Sequence, residues 1–137
     1  MRRLAAAVLL LAAATFAACD DGTGPGLGLG STAGTYALQT INGNPLPFTV
    51  GGSGQTLEVL SESIALQTGG RFTLTGTQRV TQNGQAATQQ YSEAGAWTIA
   101  GSAITLDYDS SDLIETGTLA GGVLTLSTSV GTMVYRR

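Results

Sequence analysis

From residue 34 onward, short stretches alternate between apolar and polar residues, and turn-forming residues end almost every stretch. Phe72-Thr73-Leu74 and Ile104-Thr105-Leu106 show this period of two, which places every second side chain on one face of a β-strand. Glycine, at 20 of the 137 residues, supplies many of the turns, and Asn83-Gly84 is the strongest two-residue hairpin signal. No apolar period typical of a helix extends beyond one turn in this region. The pattern predicts an all-β domain.

The spacing of the turns predicts how the strands are connected. About eight or nine strands follow one another at the ~8–12-residue spacing of a sandwich or barrel. Because the turns are short, strands adjacent in sequence should be adjacent in the sheet. Closing such a meander into a barrel removes its exposed edges. We therefore expect one antiparallel up-and-down meander of about eight strands that closes into a small barrel over residues 34–137, with a β-sandwich as the alternative.

One predicted strand changes its apolar parity part-way along. Leu57 and Val59 lie on one parity, whereas Leu60, Ile64 and Leu66 lie on the other. A β-bulge inserts one extra residue and so exchanges the two faces of a strand beyond it. Residues 56–67 are therefore expected to contain a bulge or to break into two strands.

Several segments of this region resemble a known family. They include Gly34-Thr35-Tyr36, Gly70-Arg71-Phe72-Thr73-Leu74 and Gly95-Ala96-Trp97-Thr98-Ile99. Their turn-and-strand patterns are similar to those of the small lipocalin-like lipoproteins of bacteria. The resemblance covers residues 34–137 and implies a calycin-like barrel of about eight meandering strands. It implies no definite ligand.

The N-terminal residues have the features of an export signal. Arg2 and Arg3 precede an apolar run from Leu4 to Ala18. As a helix this run would span roughly 22 Å, at about 1.5 Å per residue, which is short of the ~30 Å hydrocarbon core of a bilayer. The length and the preceding charges are typical of a signal peptide. We expect residues 1–18 to form one, with the barrel domain placed outside the cytoplasm.

The residues around the single cysteine resemble a processing motif. Phe16-Ala17-Ala18-Cys19 is similar to the lipobox of bacterial lipoproteins, which implies that Cys19 is acylated. One cysteine cannot form a disulfide within its own chain, so this thiol is free for lipidation. Ordinary secretory cleavage after Ala14 or Ala18 stays open as an alternative. We expect residues 19–33, which are rich in glycine, to form a flexible tether to a membrane of the bacterial cell envelope, inner or outer.

The composition excludes several functional classes. The chain has no histidine and no lysine, so a serine nucleophile would lack its usual base and histidine-ligated metals are ruled out. Six basic residues against nine acidic ones give a net charge of -3, which does not favour nucleic acid as a partner. We expect a protein that is not an enzyme and needs no cofactor.

The densest acidic segment is a candidate calcium site. Asp107, Asp109 and Asp112 could offer oxygen ligands to Ca²⁺. An EF-hand loop that began at Asp107 would need glycine at its sixth position and glutamate at its twelfth, where this chain has Asp112 and Thr118. We therefore favour a solvated turn, in which aspartate and serine side chains bond to their own backbone, and predict no metal.

Three glutamates are candidates for carboxylate-dependent hydrolysis. Glu58, Glu62 and Glu93 could supply the pair of carboxyl groups that glycoside hydrolysis requires. Glu93 shares the parity of Tyr91 and Trp97, so it either faces the interior or is turned outward by a bulge at Glu93-Ala94-Gly95. We favour the bulge because a buried and unpaired carboxylate is costly.

The large aromatic residues fall on the parity expected to face the interior. They could line a pocket for a small apolar ligand or form the core of the domain. We favour the core, because a barrel of ~100 residues has little interior left once such side chains are placed. These residues are Tyr36, Phe72, Tyr91, Trp97, Tyr108 and Tyr135.

The expected function combines this fold with the membrane anchor. We expect a non-catalytic, lipid-anchored protein of the cell envelope whose β-barrel domain acts in binding or structure. Two alternatives stay open. One is a lipocalin-like carrier of a small apolar ligand, and the other is a hydrolase that uses carboxylates.

Overall fold

The computed structural model of this protein describes residues 32–52 and 54–137. Ten β-strands account for most of them, and no helix is found within residues 34–52 and 54–137. The strands are β1 (Gly34–Ile41), β2 (Asn44–Pro45), β3 (Phe48–Gly52), β4 (Gln55–Leu66), β5 (Arg71–Gln82), β6 (Gln85–Ala100), β7 (Ala103–Tyr108), β8 (Ile114–Ala120), β9 (Val123–Thr128) and β10 (Gly131–Arg136).

The strands form a closed antiparallel barrel of up-and-down topology. From β4 to β10 each strand pairs with the next along the chain, and β10 pairs with β1. The circle closes where β1 pairs with β4, with Gly34 opposite Leu66 and Tyr36 opposite Ile64. The barrel therefore has 8 strands, as the alternating pattern predicts, and the alternative of a β-sandwich is wrong.

The closing seam between β1 and β4 covers only part of each strand. On this edge β1 pairs with β4 through Gly34–Ala37, and it then pairs with β2 through Thr40 and Ile41. The first residues of β4 pair with β3 instead, from Gln55 to Val59. β1 and β4 thus separate toward one end of the barrel. There β2 pairs with the free edge of β1, and β3 pairs with the free edge of β4.

The two ends of the barrel differ in their loops and in the lengths of their strands. At the first end β1 begins and β10 finishes, and Arg137 Nη1 donates a hydrogen bond to the Ala33 carbonyl at 2.8 Å. The opposite end carries the connections at residues 109–113 and 129–130, and the hairpin of β5 and β6 projects beyond β7 there. We call the first the closed end and the second the mouth.

Alternation builds the core of the barrel. Trp97 and Phe72 are buried on β6 and β5, with 2% and 1% of their surface exposed. The Phe72 ring packs edge-on against Tyr108, with 5.0 Å between ring centroids. Burial of rings of this size is a large stabilising contribution for a small domain. The other buried apolar residues include Leu38, Ile64, Leu66, Ile104, Leu106, Leu119, Leu124 and Leu126.

Two local predictions are confirmed. The register of β4 against β5 shifts between Val59 and Ser61, which is the bulge that the change of parity indicates. Asn83 and Gly84 form the β5–β6 turn with φ of 51° and 77°. These are the left-handed conformations that a tight hairpin turn requires and that asparagine and glycine tolerate.

The predictions for the first part of the chain lie outside the described residues. They comprise the signal peptide of residues 1–18, lipidation at Cys19 and all but the last two residues of the 19–33 tether. Among residues 32–52 and 54–137 there is no helix with the length and apolar character needed to span a membrane.

Candidate functional site

A cavity of about 340 Å³ opens at the mouth of the barrel. Apolar side chains form part of its wall, among them Ile41, Val59, Leu74 and Met133. Polar side chains converge on the same space from every strand between β4 and β10 and from the connection between β7 and β8. Those polar residues include Glu62, Gln78, Tyr91, Glu93, Tyr108, Ser110, Glu115, Thr128 and Tyr135.

Glu62 reaches the cavity because of the bulge in β4. The register shift after Val59 places Glu62 on the same face as the buried residues Ile64 and Leu66. Its two carboxylate oxygens accept hydrogen bonds from different strands, one from the hydroxyl of Tyr91 on β6 and one from that of Tyr135 on β10. The Glu62 carboxylate therefore links β6 and β10 across the cavity through hydrogen bonds.

The tyrosines at Glu62 are held in their protonated form. Burial raises the pKa of Tyr135 above its ordinary value of 10.0, and the charge of Glu62 and the hydrogen bond to it raise the pKa further. Burial and the hydrogen bond to Glu62 also raise the pKa of Tyr91. Both phenols consequently stay hydrogen-bond donors to Glu62 throughout the physiological range.

Glu115 faces the same space from β8. Its Oε2 accepts a hydrogen bond of 2.9 Å from the hydroxyl of Tyr108. Burial raises the pKa of Glu115 above its ordinary value of 4.5 and outweighs the opposing effect of that hydrogen bond, while the Glu62 carboxylate raises the pKa further. The last effect shows that two of the cavity carboxylates repel each other.

Glu93 faces the interior, so the expectation that a bulge turns it outward is wrong. The pairing of β5 with β6 runs without a register shift, with Glu93 opposite Leu74 and Gly95 opposite Phe72. The expected cost of a buried and unpaired carboxylate does not arise, because Glu93 is neither fully buried nor unpaired. Its side chain is half-buried at the cavity wall and accepts a 2.5 Å hydrogen bond from Ser110 Oγ.

The basic residues of the described chain lie away from the cavity. Arg79 pairs with Glu58 on the outer face of the sheet, with 2.7 Å between Arg79 Nε and Glu58 Oε2. Arg71 pairs with Asp109 and holds the pKa of that carboxyl below its ordinary value. No arginine is among the residues that line the cavity. Its three carboxylates are therefore not balanced by a cation of the described chain.

Five of the six aromatic residues weighed as core or pocket are buried in the core, and Tyr91 packs against it. Tyr91, Tyr108 and Tyr135 also line the cavity. Tyr36, Phe72 and Trp97 lie in the core away from the cavity. The cavity therefore borders the core, and two of the core tyrosines form part of its wall.

The three aspartates weighed as calcium ligands are spread over different surroundings. Asp107 is exposed on β7 and Asp112 is exposed in the connection to β8, while Asp109 is in the ion pair with Arg71. Across residues 32–52 and 54–137, no three carboxylate or cysteine side chains come together in a way that could hold a metal ion.

The inward orientation of Glu115 has a signal in the sequence that was not among the expectations for this strand. Glu115 shares its parity with Gly117 and Leu119, and Leu119 is buried in the barrel. A glutamate on the interior parity of a strand is uncommon and points to a solvated cavity or a polar network. Its partner Tyr108 could not be identified from spacing, because β7 and β8 are joined by an irregular connection.

Apolar residues are exposed at the rim of the cavity. Leu113 and Val130 are 47% and 42% exposed, and both line the opening. Exposed apolar side chains beside a concave and partly polar site are typical of a place where a ligand completes the packing. The arrangement can therefore bind a small molecule through apolar contacts at the rim and wall and through polar contacts to carboxylates and phenols.

Comparison with known proteins gives no assignment. A scan against protein-family models, a search of the curated proteins and a search of the solved structures each found no match to this chain.

Proposed function

We propose that this protein is a lipid-anchored, non-catalytic component of the bacterial cell envelope whose barrel binds a small molecule at its mouth. The observation that carries the proposal is the cavity of about 340 Å³, which is lined by both apolar and polar side chains. Its size lies at the small end of the ~300–1,000 Å³ typical of ligand sites. The resemblance of residues 34–137 to lipocalin-like lipoproteins agrees with binding inside a barrel.

The test of binding is native mass spectrometry of the full chain purified from its own host. We expect a small molecule to co-purify with the folded protein. A Val130→Trp variant should lose it, because an indole at the exposed rim would narrow the opening. Thr98→Trp is the matched control, because Thr98 is exposed on the outer face of β6 and does not line the cavity.

Two results would count against binding at the mouth of the barrel. One is a bare protein mass in repeated preparations together with no binding of a neutral apolar probe such as N-phenyl-1-naphthylamine. The other is equal occupancy in the parent chain and the Val130→Trp variant, which would place the ligand elsewhere.

The membrane anchor is tested separately from the cavity. Cys19→Ser removes the thiol that would carry the acyl chains and leaves the barrel unchanged. We expect this variant to leave the membrane pellet in fractionation experiments, since stable attachment requires more than one lipid chain or a second signal. Retention of the variant in the pellet would contradict lipidation and would indicate an uncleaved apolar anchor.

Hydrolysis is a second candidate function, favoured by one observation. Glu62, Glu93 and Glu115 all face the cavity, and Glu115 has a raised pKa, as the acid of a carboxylate pair requires. Glu58, by contrast, lies outside the cavity in its ion pair with Arg79. Turnover of a glycoside panel by the parent chain that disappears in Glu93→Gln would establish hydrolysis by this site. An absence of turnover would contradict this second function.

A further inference from the structure

The charged side chains of the cavity indicate the chemical class of its ligand, which the volume of the cavity alone does not. Glu62, Glu93 and Glu115 all line the cavity, and no basic residue lines it. The arginines at the neighbouring positions 71 and 79 are already paired with Asp109 and Glu58. A ligand that enters the cavity therefore meets a negative potential, strengthened by the low dielectric of the barrel wall.

The carboxylates are held in place and keep room for further hydrogen bonds. Each is oriented by a hydroxyl group of the protein: Glu62 by Tyr91 and Tyr135, Glu93 by Ser110, and Glu115 by Tyr108. A carboxylate has about four acceptor positions, so one or two hydroxyl donors leave the others free for a ligand. Preorganised acceptors of this kind favour a ligand that brings its own N–H donors.

The remaining wall favours an organic cation over a metal ion. In residues 32–52 and 54–137 no group of three acidic or thiol side chains is arranged as a metal site. Tyr91 instead adds a half-buried aromatic ring to the cavity wall, and aromatic rings attract ammonium groups. Leu113 and Val130 at the rim offer apolar contact to a hydrocarbon part.

We infer that the ligand of the cavity is a small amine that carries a positive charge on an apolar body. This inference rests on the proposed binding function and names its ligand class. The ammonium group lies among Glu62, Glu93 and Glu115, and the apolar body contacts the wall and rim.

A matched set of three probes tests the inference on the full chain by isothermal titration calorimetry. The probes are 2-phenylethylamine, the neutral 2-phenylethanol and the anionic 3-phenylpropanoate, which share the same ring and similar length. We expect the amine to bind at least about tenfold more tightly than the alcohol, and the anion to bind least. Raising the salt concentration to about 0.5 M should weaken the binding of the amine and leave the binding of the alcohol unchanged.

Single glutamate substitutions test where the ammonium group of the amine binds. Glu93→Gln and Glu115→Gln should each reduce the affinity for the amine by about three- to tenfold and reduce the affinity for the alcohol by a smaller factor. Glu58→Gln is the matched control outside the cavity and should change neither. Glu62 is left intact because its carboxylate also holds Tyr91 and Tyr135.

The outcomes separate this inference from the binding function on which it depends. If the alcohol or the anion binds as tightly as the amine, the cavity binds small molecules but the cationic class is wrong. If the amine binds equally to the parent, Glu93→Gln and Glu115→Gln, the cation lies elsewhere and the inference is wrong. If none of the probes binds and no molecule co-purifies, the binding function itself fails.

Discussion

At the scale of single residues, Trp97 shows how much of the stability depends on one interior position. Its side chain is 2% exposed, and its Nε1 donates a hydrogen bond of 3.0 Å to the Gln67 carbonyl. The bond fastens the end of β6 to the connection between β4 and β5, at the closed end. The parity of the strand predicts the burial of this residue, and a buried indole N–H is expected to find an acceptor of this kind.

We expect Trp97→Ala to lower the free energy of unfolding by about 3–5 kcal/mol, because it leaves a large hole in the core and removes one of the two hydrogen bonds that the Gln67 carbonyl accepts. Urea unfolding followed by circular dichroism measures the loss. Trp97→Phe is the control, which keeps much of the volume and should cost less. Water-like fluorescence from the parent, readily quenched by acrylamide, would contradict the buried position before any variant is made.

At the scale of strands, two inward-facing glycines determine how closely β5 and β6 approach their neighbours. Gly76 on β5 lies opposite Tyr91 on β6, and a methyl group on Gly76 would come within 2.3 Å of Tyr91 Cζ. A methyl group on Gly95 would come within 2.1 Å of the Asp107 carbonyl oxygen, which belongs to the backbone of β7. A side-chain ring can move aside, whereas a paired strand cannot.

We therefore expect Gly76→Ala and Gly95→Ala to differ. Gly76→Ala should fold with a loss of about 1–3 kcal/mol, displace the Tyr91 ring from Glu62 and weaken ligand binding. Gly95→Ala should lose more stability, because β6 and β7 must separate to admit the methyl group. Denaturant midpoints and probe affinity measured on both variants make the comparison. Equal losses of stability, or unchanged binding in Gly76→Ala, would contradict it.

The strands were more predictable from the sequence than the seam and the cavity. Period-two alternation, the Asn83-Gly84 turn and the parity change at Leu60 are local patterns, and each predicts the observed geometry. The pairing of β1 with β4 joins strands that are not adjacent in the sequence, and no local pattern indicates it. Closure of the barrel could be expected only because exposed sheet edges are generally unfavourable. The orientation of Glu93 was missed because its hydrogen bond with Ser110 forms across a loop of unknown path.

At the scale of the whole molecule, the cavity tyrosines should make the folded protein less stable as the pH becomes alkaline. Burial raises the pKa of Tyr91, Tyr108 and Tyr135 above the ordinary 10.0. The folded barrel then holds protons that the unfolded chain releases, so the contribution of these tyrosines to stability is constant below about pH 10 and falls above it. The slope is about 1.4 kcal/mol per pH unit for each tyrosine kept fully protonated, and smaller for the half-buried Tyr91.

Urea midpoints between about pH 8 and pH 11 measure this slope, and phenolate absorbance reports the ionisation itself. Tyr135→Phe should reduce the slope, since Tyr135 is the most buried of the three. Phenolate absorbance that develops near pH 10 in the folded protein, with no loss of stability, would be inconsistent with the arrangement around Glu62.

The positions of the two chain ends decide which way the barrel can present itself. β1 begins and β10 finishes at the closed end, where Arg137 bonds to the Ala33 carbonyl, and the cavity opens at the other end. Any attachment made through residues before β1 or after β10 therefore joins the barrel at the end opposite the opening. A barrel tethered to a bilayer in this way can exchange its ligand with the aqueous compartment without turning over, and a sensor chip coupled through the C-terminus would leave the same route free.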